Sequence, residues 1–383
     1  MTAAARLLDD VCHLTAQSLN RLETSEHFRV VKMLGEGSYG KVVLAVHNQS
    51  ASASVCPGSP MALKFFPRAT TSLCSFLREY NLSLRFCTHP SLSRALGIAY
   101  LTPSHYVFAQ QAGLFGDLYD FIVPEAGVEE DRCQRVVSQL SGALSHLHSL
   151  GFVHRDVKPE NVFLCDAACR WVKLGDFGMA KARGTKVPEV WYRSPYCTPE
   201  AETARGDGDG AGERSEPEEK KRGPRVWASV EPSVDSWALG VLTYAMLTGA
   251  HPWPQTSSDC GAYLKYLHWF RTAKSPEEEL DLWAEPQHQG PDGTPADFGA
   301  KEQPSVAPQF ARFTPLGRAF FRLLLNPGPA DRGRPEDALG YLGGAWVPVG
   351  ERERLEERRK KSRGGGGGGA VNEVKLKDGR GLR

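Results

Sequence analysis

Two motifs near the middle of the chain carry side chains suited to chemistry. H-R-D-V-K-P-E-N begins at His154, and D-F-G begins at Asp176. A carboxylate such as Asp156 orients an attacking hydroxyl group and accepts its proton, while an ammonium such as Lys158 steadies a moving phosphoryl group. Asn161 and Asp176 supply oxygen ligands that suit Mg2+ beside phosphates. The spacing therefore predicts phosphoryl transfer from ATP.

Together these motifs resemble the H-R-D-x-K-x-x-N and D-F-G signatures of eukaryotic serine/threonine protein kinases. The lysine two residues after Asp156 favours this type, because tyrosine kinases usually place alanine and arginine in the same loop. The resemblance implies an α+β, two-lobed protein-kinase fold, with a small β-rich N-lobe that contains one main helix and a larger helical C-lobe. It also implies ATP and Mg2+ as cofactors and Ser or Thr hydroxyl groups of proteins as acceptors.

A glycine-rich stretch upstream fits the same resemblance. Residues 35–42 have the sequence G-E-G-S-Y-G-K-V, and glycines let backbone N–H groups approach phosphates closely. Lys64 follows on the next predicted strand, and Glu79 comes fifteen residues later (79 minus 64) in a predicted helix. The resemblance implies that Lys64 holds the α- and β-phosphates of ATP and that Glu79 holds Lys64.

The stretch 106–113 resembles the strand and hinge that cradle adenine in kinases. Gln110 is then the residue at the back of the pocket, and Gln111 and Gly113 offer backbone groups to adenine. Asp117 is expected to reach the ribose. Glutamine is unusual at the back of the pocket, so an alignment shifted by one residue is the alternative. The whole predicted nucleotide site consists of Leu34, Gly35, Glu36, Gly37, Ser38, Tyr39, Gly40, Lys41, Val42, Ala62, Lys64, Glu79, Gln111, Gly113, Asp117 and Phe163.

The composition is that of one globular enzyme domain with short extensions. Of the 383 residues, 41% are hydrophobic and 24% are charged, which excludes disorder as the dominant state. A formal net charge of +1 gives no bulk electrostatic case for nucleic acid. The nine cysteines are scattered and odd in number, which indicates a reducing compartment. We find no signal-peptide pattern and no run of about eighteen apolar residues, and predict a cytoplasmic monomer without a membrane span.

Pattern and composition divide the chain into three regions. Residues 1–24 space apolar side chains at helical intervals, which predicts one amphipathic helix leaning on the smaller lobe, or alternatively a partner-binding helix. Residues 348–383 are charged and then glycine-rich, and we expect a disordered tail that is helical at most in its charged part. The kinase domain is expected at 25–347, with the N-lobe at about 25–110, the C-lobe at about 114–347 and a polar surface insertion at 203–224.

The segment after D-F-G departs from the family pattern. Most serine/threonine kinases have G-T-x-x-Y before the A-P-E that ends this segment, whereas residues 192–196 have the sequence Y-R-S-P-Y before T-P-E. This departure favours the alternative function, a weak or inactive kinase-fold scaffold that binds nucleotide and partner proteins. Thr185, Tyr192 and Ser194 are the acceptors available for an activating phosphorylation, which Arg155 is positioned in sequence to bind.

Fixed pairs of side chains are also expected in the larger lobe. D-x-W-x-x-G begins at Asp235, and the resemblance implies that this carboxylate braces the backbone of the H-R-D loop. Glu200 is expected to pair with an arginine that ties the end of the D-F-G segment to the lobe. Arg332 and Arg334 are both candidates, and the sequence does not choose between them.

Shorter stretches narrow the resemblance to the SH3-binding domain kinase family, over roughly residues 25–345. They are Y-V-F-A-Q from Tyr106, F-L-R-E from Phe76, D-F-G-M from Asp176 and P-Y at Pro195. The resemblance implies SH3-domain proteins as partners. The single P-x-x-P that we find, at 57–60, has no flanking prolines and no arginine anchor, so it predicts a turn instead.

Two carboxylates bear on the choice of substrate. Asp117 and Glu160 occupy positions that help basophilic kinases hold arginines upstream of the acceptor, although Ala245 stands where many such kinases have a third carboxylate. The resemblance therefore implies a mild preference for basic substrates.

Overall fold

A computed structural model describes residues 2–37, 40–48, 59–189, 192–205, 226–273 and 306–365. The chain forms a β-rich small lobe followed by a larger, mainly helical lobe, which confirms the predicted α+β kinase class. Ser38 and Tyr39, most of the expected insertion at 203–224, and residues 366–383 lie outside the described residues. In the ranges given above, no helix has the length and apolar character that a membrane span requires.

Six strands form the sheet of the small lobe, in the order β1-β5-β6-β4-β3-β2. Their bounds are β1 (Asn20–Arg21), β2 (Phe28–Gly37), β3 (Gly40–His47), β4 (Met61–Pro67), β5 (Ala95–Leu101) and β6 (His105–Gln111). Neighbouring strands are antiparallel except β1 and β5. β2 and β3 form the glycine-rich hairpin, and Val42 on β3 lies opposite Lys64 on β4. The sheet thereby places the lysine next to the hairpin.

Outside this sheet, the described residues form nine α-helices and six short strands. The helices are α1 (Ala3–Ser18), α2 (Thr24–His27), α3 (Leu73–Arg85), α4 (Leu118–Phe121), α5 (Glu130–Ser149), α6 (Ser233–Thr248), α7 (Gly261–Thr272), α8 (Pro315–Leu324) and α9 (Val349–Gly365). The short strands are β7 (Phe152–Val153), β8 (Val162–Leu164), β9 (Val172–Leu174), β10 (Lys181–Ala182), β11 (Lys186–Pro188) and β12 (Trp227–Ser229).

The main helix of the small lobe is α3. Ser72 caps its N-terminus with a side-chain hydrogen bond, as serine commonly does at this position. Phe76 and Tyr80, one turn apart, are buried and pack their rings against Phe108 of the sheet. This packing fixes the rotation of the helix and turns Glu79 toward the cleft between the lobes.

The core of the large lobe is built around α6. Almost every residue of this helix is buried, because it is apolar on all sides and other elements surround it. Beside it runs α5, whose apolar stripe of Val136, Leu140, Leu144 and Leu147 is fully buried. Aromatic rings from α6, α7 and α8 complete the core. This core supports the loops that carry the polar motifs.

The N-terminal residues form α1, which ends at Ser18 rather than near residue 24. Thr2 caps the helix by accepting a hydrogen bond from the Ala5 N–H at 3.2 Å. Cys12 is buried against the small lobe together with Phe76 and other apolar side chains, as expected for a helix that leans on this lobe. The helix also contacts the large lobe through Ala4.

The charged part of the segment 348–383 is helical, as the sequence allowed, but it also packs on the large lobe, which the sequence did not indicate. Residues 349–365 form α9, in which Glu351, Leu355 and Arg359 are buried. The side chain of Arg312 donates two hydrogen bonds to Glu351 Oε1, at 2.5 and 3.1 Å. The helix is therefore held to the lobe by hydrogen-bonded charges, which an apolar pattern does not reveal.

Candidate active site

Lys64 lies at the centre of the cleft between two carboxylates. Its Nζ is 2.5 Å from Glu79 Oε1 and 3.0 Å from Asp176 Oδ1. Burial disfavours the ammonium, but the charges and hydrogen bonds of Glu79 and Asp176 outweigh this cost, so the pKa of Lys64 is raised. The predicted residues on β4, on α3 and in the D-F-G motif are thus in direct contact. The Lys64 ammonium is a fixed positive charge in the cleft.

The H-R-D loop brings Asp156, Lys158 and Asn161 together. Lys158 Nζ lies 3.0 and 2.9 Å from the two carboxylate oxygens of Asp156. Asn161 Nδ2 donates to the carboxylate of Asp156 at 2.9 Å and to its main-chain carbonyl at 2.7 Å. Burial lowers the pKa of Lys158, but the hydrogen bonds from its ammonium to Asp156 outweigh this and raise it. The Asp156 carboxylate is therefore held by an ammonium and an amide.

A buried carboxylate fixes the backbone of this loop. Asp235, fully buried at the start of α6, accepts hydrogen bonds from the N–H groups of His154 and Arg155, both at 2.8 Å. Burial opposes its ionisation, but hydrogen bonds from His148 and Arg155 outweigh this and lower the pKa of Asp235. Arg155 has φ of 68°, a strained value for a residue with a side chain. Asp235 thus stabilises the conformation that presents Asp156.

The D-F-G motif places Asp176 toward the cleft and Phe177 toward the core. Asp176 has φ of 61°, and its carboxylate accepts a hydrogen bond from the Gly178 N–H at 3.4 Å. Burial raises the pKa of Asp176, but the charge of Lys64 outweighs this and lowers it. Phe177 packs its ring edge-on against Phe86 and His154. The buried ring anchors the strained turn that carries Asp176.

The residues predicted for adenine meet where the lobes join. Ala62 lies opposite Gln110 in the sheet, and Gln111 ends β6. A side chain on Gly113 would place its Cβ 2.9 Å from the Phe163 Cβ, so the hinge packs directly on β8. Asp117 pairs with Phe163 through an isolated bridge between the two backbones.

The described part of the glycine-rich hairpin covers Leu34–Gly37 and Gly40–Val42. Gly40 has φ of 129°, and any Cβ there would collide with the main-chain carbonyl of Phe65. Only glycine therefore fits at this position. The hairpin leads directly into the pairing of Val42 with Lys64 described above.

Comparisons with known proteins identify the family. A sequence profile of the protein kinase domain matches residues 28–211. Serine/threonine-protein kinase SBK1 of Danio rerio is 34% identical over 342 residues, covering 89% of this chain and 74% of that protein. SBK2 of Rattus norvegicus is 34% identical over 344 residues, covering 90% and 81%. SBK2 of Homo sapiens is 35% identical over 280 residues, covering 73% and 74%. The chain belongs to the SH3-binding domain kinase family.

This SH3-binding domain kinase is an ATP-dependent serine/threonine protein kinase, as its motifs predict. The end of its D-F-G segment is tied to the large lobe by Glu200. Arg332, not Arg334, is the partner: its guanidinium donates to both carboxylate oxygens, at 3.0 and 2.8 Å. The Arg332 side chain is fully buried, and its guanidinium also lies 4.9 Å from the ring centre of Trp237.

The unusual segment 192–196 of the kinase lies beside the polar cluster. A cavity of about 440 Å³ is lined by Tyr192 together with Glu79, Asp156, Lys158 and Asp176. Tyr192 is about half exposed, at 52%, so its ring stands at the mouth of the site. The departure from the family pattern is therefore located beside Asp156 and Lys158.

Sequence reasoning missed two histidines that support the kinase site. His148 Nε2 lies 2.8 Å from Asp235, on the carboxylate oxygen that also accepts from the backbone. His154 accepts the Asp156 N–H on Nδ1 at 3.2 Å, and its Nε2 lies 3.1 Å from the carbonyl oxygen of Gly175. No signal in the sequence marks His148. The H-R-D motif contains His154, but it does not indicate the hydrogen bonds of that side chain.

Proposed function

We propose that Asp156 orients the acceptor hydroxyl group and accepts its proton, and that Lys158 stabilises the phosphoryl group in transfer. The Ser or Thr oxygen forms a bond to the γ-phosphorus of ATP, the bond from that phosphorus to the β,γ-bridging oxygen breaks, and ADP leaves. The contact of Lys158 with both oxygens of Asp156 is the observation that carries this proposal. It puts the base and the positive charge at the same point in the cleft.

Lys64 binds the α- and β-phosphates in this proposal, and Glu79 fixes its direction. The buried ion pair supports this role because a lysine with a long flexible stem is otherwise poorly oriented. Adenine is enclosed by the Ala62, Gln111, Gly113 and Phe163 cluster. The remaining predicted contacts come from the glycine-rich hairpin above and from Asp117, which binds the ribose.

The donor set fits Mg2+ held by Asn161 and Asp176. The hydrogen bonds described for the Asn161 side chain use Nδ2, which leaves its oxygen for a hard cation. In the described ranges, no group of three or more His, Cys, Asp or Glu side chains is arranged as metal ligands. Asn161 and Asp176 would hold Mg2+ beside the phosphate oxygens, where the ion would neutralise phosphate charge. Asn161 and Asp176 orient the bound phosphates toward Asp156.

Phosphate transfer tests this assignment directly. Wild-type protein is incubated with Mg-ATP labelled on the γ-phosphate and a mixed Ser/Thr peptide library, beside Asp156→Asn. We expect the variant to lose at least about a hundredfold in rate, because the isosteric amide cannot accept the proton. His13→Asn, an exposed change on α1, is the control and should retain the wild-type rate. Equal rates for wild type and Asp156→Asn would contradict the role of Asp156.

A second candidate is a kinase fold kept as a weak or inactive scaffold. The Y-R-S-P-Y segment at the mouth of the cleft is the specific observation that favours it. The same assay distinguishes the two functions. If the protein is a scaffold, wild type and Asp156→Asn both bind ATP and neither transfers phosphate. The complete set of ion pairs around Lys64 and Asp156 supports the active enzyme.

Further proposals concern partners, assembly and location. We infer a monomer that acts in the cytoplasm, and the eight cysteines in the described ranges, all free thiols, support a reducing compartment. SH3-domain proteins remain proposed partners, and residues 57 and 58 of the P-x-x-P at 57–60 lie outside the described residues. Asp120 and Glu160 lie close enough to Asp117 to act on its charge, and this group of carboxylates supports a preference for basic substrates. A peptide array without Arg or Lys enrichment upstream of the acceptor would refute that preference.

A further inference from the structure

The N-terminal helix α1 contacts the helix that carries Glu79. Asp9 Oδ1 accepts a hydrogen bond from Arg78 Nη2 at 2.9 Å, and Arg78 is the residue immediately before Glu79 on α3. Asp9 and Arg78 are partly exposed, at 36% and 41% of their side chains, so their contact is an ion pair at the rim of a larger interface. The centre of that interface lies one turn further along α1.

Asn81 of α3 is held at this centre by two residues of α1. Thr15 Oγ1 donates to Asn81 Oδ1 at 2.9 Å, and Asn81 Nδ2 approaches Cys12 Sγ at 3.6 Å. Asn81 and Cys12 are both buried. The buried amide therefore favours one relative placement of the two helices, since a slip of α1 takes the Thr15 hydroxyl away from Asn81 Oδ1.

The other end of α1 reaches the large lobe. Ala4, Ala5 and Leu8 pack against the core of that lobe. A Cβ on Gly151, which precedes β7, would lie 3.4 Å from the Ala4 Cβ. One rigid helix therefore contacts α3 of the small lobe along its second half and the large lobe along its first turns.

Positive charge is concentrated where α1, α3 and the start of the D-F-G segment meet. They enclose a cavity of about 670 Å³ whose lining includes Arg78, Lys181 and Lys186. Among the described residues that line this cavity, Asp9 carries the one carboxylate. Arg78 comes from the small lobe and Lys181 from the large lobe, so the charge of Asp9 acts on cations of both lobes.

We propose that α1 is an intramolecular brace for α3, in which Asp9, Cys12 and Thr15 are positioning residues that hold Glu79 against Lys64. This inference rests on the proposed role of Lys64 and Glu79 in phosphoryl transfer. When α1 is seated, α3 cannot swing outward without breaking the Asp9–Arg78 pair and exposing the apolar side chains under Cys12. The geometry thus makes the active arrangement of the cleft depend on the first eighteen residues.

The test compares Asp9→Asn with Asp10→Asn in the full-length protein. The two variants lose the same charge from adjacent positions of α1, but Asp10 is exposed, and the ion pair described for Arg78 is with Asp9. We expect Asp9→Asn to lower kcat by about threefold to tenfold with a smaller change in KM for ATP, and Asp10→Asn to leave both unchanged. The double variant Asp9→Arg with Arg78→Asp restores the ion pair in reverse and should recover most of the loss.

Amide hydrogen exchange supplies a second measurement that needs no activity. Exchange across α3 should be faster in Asp9→Asn than in Asp10→Asn or wild type, because the helix opens more often. A wild-type protein that transfers no phosphate would contradict the proposed function, while α3 exchange would still test the brace. Equal exchange across α3 in Asp9→Asn and Asp10→Asn would overturn the brace. A fall in kcat of Asp9→Asn that is fully explained by a smaller fraction of folded protein would also overturn it.

Discussion

Single side chains in the cleft are held by several partners at once, so the protein itself fixes their directions. Asp156 is held through its carboxylate by Lys158 and Asn161 and through its N–H by His154. Lys64 is held by Glu79 and Asp176. Each polar group therefore has a fixed direction before substrate arrives, which reduces the reorganisation that the reaction requires.

Replacing Glu79 by glutamine tests the direction of Lys64. The amide keeps the size of the side chain but removes its charge, so Lys64 moves toward Asp176 and away from the phosphates. We expect kcat to fall by at least about tenfold, since misplacement of a positioning charge is costly. Steady-state kinetics measure the effect. Cys74→Ser on the exposed face of α3 is the control, and a Glu79→Gln enzyme as fast as this control would refute the role.

The pH dependence of stability tests His154. Burial lowers its pKa below the ordinary value, and the nearby charge of Asp235 only partly opposes this. The folded protein therefore keeps the ring neutral, with Nδ1 accepting the Asp156 N–H. As pH falls below about 6.5, the unfolded chain takes up a proton that the folded protein resists, so the free energy of unfolding decreases. Above that pH the ring is neutral in both states, so His154 adds no pH dependence to the free energy of unfolding.

Urea unfolding at several pH values between 7.5 and 5.5 measures this slope. His154 contributes at most about 1.4 kcal/mol per pH unit, and His154→Gln should reduce the slope of the wild type by part of that amount. Other histidines with lowered pKa, such as His251, contribute equally to both proteins and cancel in the comparison. His13→Gln, on the exposed face of α1, should keep the wild-type slope. Identical slopes for wild type and His154→Gln would contradict the assignment.

At the scale of elements, the Glu200–Arg332 pair fastens the D-F-G segment to the large lobe. Arg332→Lys keeps the charge but loses one of two parallel hydrogen bonds and the contact with Trp237. We expect the free energy of unfolding to fall by about 1.5–3 kcal/mol, because the Glu200 carboxylate loses a charge-assisted hydrogen bond and the fully buried Arg332 side chain loses its contact with Trp237. Arg334→Lys is a matched control, since that side chain is 80% exposed. Urea unfolding compares the two variants. An equal loss of unfolding free energy in both would show that the Glu200–Arg332 pair does not hold the segment to the lobe.

Much of the site could be predicted because its motifs resemble those of protein kinases. The resemblance gives Lys64, Glu79 and Asp176 roles around one nucleotide site, and the three side chains lie within hydrogen-bond distance in the structure. The choice of Arg332 over Arg334 could not be predicted. They lie two positions apart in sequence, and only the path of the backbone after α8 decides which one is buried.

At the scale of the whole molecule, the kinase fold is extended at both ends by helices that pack on it. The sequence predicted α1 from its apolar spacing but predicted no packed helix at 349–365. That segment is dense in charge, and its buried residues include Glu351 and Arg359. Charges are buried there because ion pairs and backbone carbonyls accept them, and such partners come from distant parts of the chain. A pattern of apolar residues therefore cannot reveal this helix.

Arg359 tests whether α9 is part of the folded enzyme. Its Nη1 donates to the carbonyl oxygens of Ala126 and Val128 at 2.8 and 3.3 Å, in the loop between α4 and α5. Arg359→Ala leaves these carbonyls without that donor, and we expect the free energy of unfolding to fall by about 1–3 kcal/mol. Lys360→Ala, an exposed neighbour, should change it by less than about 0.5 kcal/mol. Because α9 lies outside the cleft, kcat per folded molecule should stay the same, and equal stabilities in urea would mean that α9 adds nothing to the fold.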